Sequence, residues 1–302
     1  MRNDADAGSH NRMKVLVIGG DGMLGHELLA GLSVSHDVAV TLRRDLSAYA
    51  HHGLFTSENA FAGVDVRNPD RVLEVVADYR PQAIVNAAGI VKQRADSSRS
   101  IPSIEVNSLF PHRLAVIARA SGARLVHIST DCVFSGDRGG YRETDVPDPV
   151  DLYGRSKLLG EVDEDGCITL RTSMIGLELA NRLSLVEWAL AQPGAFSGYR
   201  NVLYSGLTTM ELTRVIDELL VRHPGLHGIW HVASEPTSKY DLLEGLFRRI
   251  GRGGHVRPED GVVSDRTMSG EAFEKATGYR VMGWDDMLDE LAKRIQERER
   301  GR

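Results

Sequence analysis

From residue 14 to residue 173 the chain repeats one pattern: a short run that is apolar nearly throughout, then a segment with apolar residues at helical spacing. The runs are KVLVIGG (14–20), HDVAVTLRR (36–44), FAGVDV (61–66), QAIVNAAG (82–89), RLVHIST (124–130) and CITLRTS (167–173). A strand with one wet face alternates apolar and polar residues, whereas a strand apolar on both sides must be covered on both. Such strands, alternating with helices, predict a doubly wound parallel α/β sheet of the Rossmann type, joined by right-handed crossovers. MLGHELLAGLS (23–33) and PDRVLEVVADY (69–79) supply the first helices, and a third spans about 102–121. Pro111 inside that third helix predicts a kink or local break, because proline has no N–H to donate.

After residue 174 the pattern loosens. LSLVEWALAQ, TMELTRVIDELLVRH, KYDLLEGLFRRIG and the segment from Trp284 onward read as helices, and GIWHVAS (228–234) as one more strand. The expected organisation is a flexible tail at 1–12, a Rossmann domain at 13–173 and a smaller mixed region at 174–302. About 203–233 of that region would return to the Rossmann sheet. Net charge is −6 with acids and bases interspersed, which argues against a nucleic-acid partner. No apolar run is long enough to span a bilayer and no signal peptide is visible, so no membrane partner and a cytoplasmic location are expected. The two cysteines, Cys132 and Cys167, lie in or beside apolar runs and read as buried thiols, with no metal site.

Between the first strand and its helix lies GGDGMLG, in which Gly19, Gly22 and Gly25 recur every third residue. Glycine serves where a turn needs positive φ and where backbone must approach a pyrophosphate without a Cβ in the way. The helix that follows offers free N–H groups and a partial positive charge to phosphates. In this strand–turn–helix setting the motif predicts a dinucleotide site. A site that prefers NAD usually places an acid at the end of the second strand. Here Arg43 and Arg44 stand there, and guanidinium groups suit a 2′-phosphate, so NADPH is the expected cofactor, with NADH as the alternative.

YGRSK places Tyr153 and Lys157 four residues apart, one turn of about 5.4 Å along a helix. A free phenol has a pKa of about 10, and a neighbouring ammonium is expected to lower it. A phenol so tuned can give a proton to a carbonyl as it is reduced. The apolar fifth strand ends in Ser129, Thr130 and Asp131, at the carboxyl edge where open α/β sheets bind ligands. Thr130 can hold the oxygen that Tyr153 protonates, while Ser129 suits a capping role.

With GGDGMLG, NAAG (86–89) and YGRSK, the chain resembles the extended short-chain dehydrogenase/reductase superfamily. STDCVFSG, YRETDVPDPVDLYGRSKLLGE and LRTS are similar to its dTDP-4-dehydrorhamnose reductase (RmlD-like) branch, most closely over 14–173. The resemblance implies a catalytic triad of Thr130, Tyr153 and Lys157, with Lys157 also holding the nicotinamide ribose. It implies that Gly19, Gly22, Met23, Leu24 and Gly25 take the pyrophosphate, and that Arg43 and Arg44 face the adenosine phosphate. Asp65 and Val66 would lie by the adenine, and Ala87, Ala88 and Gly89 beneath the cofactor.

The branch's pattern also separates this chain from its relatives. Nucleotide-sugar 4,6-dehydratases carry Thr-Asp-Glu, and Cys132 stands in the glutamate's place, which excludes dehydration. The reductases commonly hold tyrosine there and an aromatic residue near Met174, and their loop after the fourth strand differs from GIVKQRADSSRS. These departures bear on which sugar is bound. Asp131, Cys132, Met174, Lys92 and Arg94 are the candidate substrate contacts, the last two for a diphosphate. The implied activity is NADPH-dependent reduction of the C4 keto group of a nucleotide-linked 4-keto-6-deoxy sugar. A homodimer is kept open as the assembly. The alternatives are a nucleotide-sugar epimerase or epimerase/reductase, and a non-catalytic NADP-binding regulatory subunit.

Overall fold

The computed structural model describes residues 12–91, 99–180 and 182–300. Strands β1 (Lys14–Ile18), β2 (Asp37–Thr41), β3 (Ala60–Phe61), β4 (Ala83–Asn86), β5 (Arg124–Ile128), β6 (Cys167–Arg171) and β11 (Gly228–His231) form one sheet in the order β11-β6-β5-β4-β1-β2-β3. Every pairing in it is parallel. The chain runs β1, β2, β3 in one direction and then crosses to β4 on the other side of β1. The crevice between the ends of β1 and β4 is therefore the point where strand order reverses, and ligands of such sheets bind there.

Alternate strand residues feed two cores. Val15, Val17, Val38, Val40, Val85 and Val126 point to the side covered by α1 (Gly25–Leu32) and α7 (Thr209–Arg222). Leu16, Ile18, Ala39, Ile84 and Leu125 point to the side covered by α2 (Pro69–Tyr79) and α4 (Phe110–Ser121). Full burial of each Leu, Ile or Val is worth about 1.5–3 kcal/mol, so both faces hold the sheet. α2 starts where its sequence says it should: the Asn68 side chain accepts from Arg71 N, and Pro69 takes the first turn.

The predicted break in the third helix is real and has a specific form. A short α3 (Ser100–Ser103) passes into a π-helical turn, Ile104–Leu109, and α4 resumes at Phe110 beside Pro111. The expected strand 61–66 is corrected: only Ala60 and Phe61 pair with β2. Asp65 and Val66 lie beyond it in the turn to α2, where Asn68 N donates to the Asp65 carbonyl.

The second half carries α5 (Leu152–Leu158), α6 (Leu185–Leu190), α8 (Lys239–Arg249), α9 (Glu271–Thr277) and α10 (Trp284–Arg300). It adds three small sheets. β7 (Met174–Ile175) pairs with β10 (Leu207–Thr208), and β8 (Phe196–Tyr199) pairs with β13 (Val256–Glu259). β9 (Val202–Tyr204) lies between β12 (Thr237–Ser238) and β14 (Ser264–Asp265). A third core, with Phe196, Leu242, Leu246, Phe247, Leu291 and Ile295, holds α8, α10 and β8 together. The return to the large sheet is narrower than the expected 203–233. β11 joins β6 and α7 covers the sheet, but residues 202–204 belong to a small sheet. Among the described residues no helix is long and apolar enough to cross a membrane.

Candidate active site

The glycine turn joins β1 to α1 under tight constraint. Gly19 has φ +91°, and a Cβ on it would stand 3.0 Å from Ala88 Cα. A Cβ on Gly25 would stand 2.0 Å from the Gly19 carbonyl oxygen, closer than real Cβ atoms come to anything. Gly19 N donates to Thr41 Oγ1 at 3.1 Å and Gly20 N to the Thr41 carbonyl at 2.9 Å, tying the turn to the end of β2. No acceptor among the described residues meets the N–H groups of Met23, Leu24 or Gly25. The helix start has no side-chain cap, since Leu24 occupies the capping position. A cradle of free N–H groups against bare backbone fits a pyrophosphate.

Arg43 and Arg44 follow β2, both exposed. Tyr49 fixes the backbone there: Arg44 N donates to its hydroxyl at 3.3 Å, and that hydroxyl donates to Asp21 Oδ2 at 2.9 Å. The Arg44 guanidinium stands over the Tyr49 ring at 5.3 Å. Asp65 is held by Arg67, whose Nε donates to both carboxylate oxygens, at 3.0 and 3.1 Å. That hydrogen bonding, with Arg43 adding its charge, lowers the Asp65 carboxyl below its ordinary value. Ala87, Ala88 and Gly89 follow β4 along the same edge, next to Gly19.

β5 ends at Ile128, and the next residues turn across the sheet's carboxyl edge. Thr130 caps a 3₁₀ turn, Asp131–Val133, by accepting from Cys132 N at 3.1 Å, and its hydroxyl donates to Asp131 Oδ1 at 3.1 Å. α5 docks on this turn with little space: a Cβ on Gly154 would stand 2.1 Å from the Cys132 carbonyl oxygen. Tyr153, beside that glycine, is thereby held next to the Thr130 hydroxyl, which acts on its phenol. Asp151 caps α5 by accepting from Gly154 N at 2.8 Å.

Burial raises the Tyr153 phenol above its ordinary value, with the Asp131 carboxylate adding to the rise and the nearby Thr130 hydroxyl opposing it. The expected lowering by Lys157 is corrected for the cofactor-free chain. The Lys157 ammonium instead donates to the Ile128 carbonyl at 2.6 Å, and burial of the phenol prevails. Burial brings Lys157 down to about 8, with Glu161 pulling the other way. Cys132 is pushed up to about 12 by burial and the Asp131 carboxylate, so it stands in the site as a neutral thiol. Met174 opens β7 and packs against the core below. Lys92 and Arg94 lie outside the described residues.

Four residues escaped the sequence reading. Asn107, in the π-helical turn, is buried. Its amide donates to the Ile90 carbonyl at 3.0 Å and to Ser156 Oγ at 3.1 Å, and its oxygen accepts from Ile90 N at 2.8 Å. It thus ties the loop after β4 to the helix bearing Lys157. An amide just ahead of Pro111, in a helix otherwise lined by apolar residues, was the available signal. Glu161 and Arg171 form a buried two-pronged ion pair at 2.9 and 2.8 Å, and Ser129 Oγ donates to Glu161 Oε1 at 2.7 Å. Ser129 therefore anchors β5 to this pair. Lys239, from the start of α8, approaches Asp131 and Cys132.

Residues 13–192 match the family model described as the RmlD substrate binding domain. The chain is 32% identical, over 89% of its length and 88% of the relative's, to a dTDP-4-keto-6-deoxy-D-glucose reductase from Streptomyces niveus. It is 29% identical to a dTDP-4-dehydrorhamnose reductase from Aggregatibacter actinomycetemcomitans, covering 62% of this chain and 67% of that one. Among solved structures it shares the fold of a dTDP-4-dehydrorhamnose reductase from Bacillus anthracis in complex with NADP. That TM-score is 0.74 at 22% identity, over 93% of this chain and 98% of the other. Sequence and fold agree, and the chain belongs to the RmlD substrate-binding-domain family.

Proposed function

We propose that the protein reduces the C4 keto group of a nucleotide-linked 4-keto-6-deoxy sugar, using NADPH. One observation carries this reading: α5, packed through Gly154 on the turn at the carboxyl edge of β5, brings Tyr153 beside Thr130, two strands from the glycine turn after β1. The kinship with dTDP-sugar reductases supports the substrate class. The residues present fit the dinucleotide. Met23, Leu24 and Gly25 offer unmet N–H groups, Gly19 and Ala88 leave a bare backbone floor, and Arg43 and Arg44, exposed after β2, are the guanidinium groups suited to a 2′-phosphate. NADPH supplies the hydride that goes to the carbonyl carbon.

The chain's own residues manage the oxygen. As substrate enters, the Thr130 hydroxyl turns its one proton from Asp131 to the carbonyl oxygen and orients it, and Tyr153 Oη gives up its proton to that oxygen as the alcohol forms. A phenol held above its ordinary pKa carries its proton throughout the neutral range, which suits an acid waiting for substrate. Lys157, at about 8, is mostly an ammonium at neutral pH, and it supplies the positive charge that favours the phenolate left after transfer. Asp131, Cys132 and Met174 border the sugar, and the neutral Cys132 thiol cannot perform the acid chemistry that dehydration requires of a carboxyl.

The test is a panel of nucleotide-linked 4-keto-6-deoxy sugars with NADPH, followed by absorbance and product analysis. Stoichiometric NADPH oxidation with formation of a 4-hydroxy product is expected. Sugar conversion without net cofactor use would make the protein an epimerase, and NADPH binding with no turnover on any sugar would make it a regulatory subunit.

A further inference from the structure

Lys239 is the first residue of α8, directly after the capping Ser238, whose Oγ accepts from Asp241 N at 2.9 Å. The start of a helix carries a partial positive charge, so a lysine there gains nothing from the helix it opens. Its ammonium lies on the face of Tyr204, 3.6 Å from the ring centre, and Tyr204 is itself 3% exposed. Among the described residues no carboxylate lies within ion-pair distance of it, although the side chain is half-buried. The acid whose charge acts on it, Asp131, already accepts from Thr130. Arg266 adds a second positive charge nearby, with its guanidinium hydrogen-bonded to the carbonyls of Phe134 and Ser135 at 3.1 and 2.9 Å. A Cβ on Gly206 would meet both the Tyr204 hydroxyl, at 2.0 Å, and the Ser173 carbonyl oxygen, at 2.5 Å, and Asp131 N donates to the carbonyl of the adjoining Thr172 at 3.2 Å, so the ring under this cation adjoins the turn that carries Thr130.

A half-buried ammonium without a counter-ion is costly unless an anion completes it. We propose that Lys239 binds the diphosphate of the nucleotide-linked substrate. The inference takes its substrate class from the ketoreductase reading, and it adds a cation from the C-terminal region, seated on an aromatic floor, as the group that fixes the sugar's leash. A hydroxyl would not neutralise the charge; a diphosphate would, and its oxygens accept all that a lysine donates.

The experiment is calorimetric titration of the NADPH-bound chain with thymidine, uridine and guanosine diphosphates, for the native protein, Lys239→Gln and Lys239→Arg. The best-bound nucleotide should lose about ten-fold or more in affinity in Lys239→Gln, the scale of one charge-assisted hydrogen bond, and recover most of it in Lys239→Arg. Burial holds Lys239 at about 8, against the pull of Asp131 and with the help of Arg266. Native affinity should therefore fall from pH about 7.5 to about 9.5, while the Lys239→Arg affinity holds. NADPH affinity and thermal midpoint serve as the folding control. Equal nucleotide affinity in native protein and Lys239→Gln overturns the proposal, and so does failure of all three diphosphates to bind. Loss of nucleotide affinity in Lys239→Gln, with no keto sugar reduced by the native protein, would overturn the ketoreductase reading and leave this subsite standing.

Discussion

The Lys157 ammonium donates to the carbonyl oxygen of Ile128, the last residue of β5, at 2.6 Å. The lysine of the Tyr-Lys pair is therefore a clamp on the sheet edge as well as a charge. It joins α5 to the strand that presents Thr130, and a cofactor hydroxyl entering the crevice meets a donor whose position is already set.

This burial has a consequence for stability. Lys157 sits at about 8 in the folded chain, below its unfolded value of about 10.4. Between those values the unfolded chain binds more protons, so this group's contribution favours the folded state increasingly as pH rises from about 8 to about 10. Cys132, held up by burial, works in the opposite sense over an overlapping range, so the comparison must isolate the lysine. The difference in unfolding free energy, native minus Lys157→Met, should grow across this window in the absence of cofactor. A difference that stays flat in urea titrations at pH 7, 8, 9 and 10 would mean that the ammonium is not desolvated.

Tyr153→Phe removes the transferable proton and keeps the ring. Turnover should fall roughly 10²-fold or more, the scale of general acid catalysis, while NADPH affinity stays near native. Stopped-flow reduction of a keto sugar, beside a cofactor titration, separates the two quantities. Unchanged turnover would take the phenol out of the mechanism.

Gly154→Ala tests how the phenol is aimed. The added methyl would stand 2.1 Å from the Cys132 carbonyl oxygen, so either α5 or the 3₁₀ turn must move. Overpacking of this kind costs about 1–3 kcal/mol, and the shift should part Tyr153 from Thr130. A lowered thermal midpoint together with lost turnover is expected. A fully active variant of native stability would show that the contact is loose.

How far the sequence reveals this site depends on the range of the interaction. Gly19, Gly25, Tyr153 and Lys157 act through neighbours within a few residues, and their spacing announces them. β1, β2 and β4 to β6 show as largely apolar runs because burial on both faces favours apolar residues, and the few polar ones, such as Asn86, His127 and Arg171, are hydrogen-bonded inside. β3 does not: only two residues pair, and the apolar character of FAGVDV reflects packing of Val64 and Val66 below the sheet, not a longer ladder. Apart from β11, which GIWHVAS announces, the strands of two to four residues in the C-terminal region fall beneath any periodicity. Asn107, Glu161 and Lys239 matter through partners 10 to more than 100 residues away, such as Ser156, Arg171 and Asp131. The direction of the Tyr153 shift was hidden for the same reason, since burial is a property of the assembled pocket.

Arg43→Ala addresses cofactor choice. Arg43 is exposed and its charge reaches Asp65, the residue expected beside the adenine. Loss of one guanidinium facing a 2′-phosphate should weaken NADPH by about ten-fold and leave NADH nearly unaffected. Paired fluorescence titrations of the two cofactors provide the check. Equal losses would mean that Arg43 does not read the phosphate.

The buried pair behind the site makes the last prediction. Glu161 and Arg171 are 4% and 5% exposed, and the Arg171 guanidinium also lies over the Phe134 ring at 5.4 Å. Removing one member leaves the other charged and without its counter-ion in the interior, which costs on the order of 3–5 kcal/mol, whereas replacing both by apolar side chains of similar volume costs far less. Arg171→Met should therefore lower the urea midpoint more than the double variant Glu161→Met with Arg171→Met. The double variant should still lose activity, because Ser129 then loses the carboxylate that anchors the end of β5 beside Thr130. If the double variant is the less stable of the two, the pair contributes to folding on its own account. If it is the more stable and yet inactive, the buried charges serve to hold the strand end where the hydroxyl is needed.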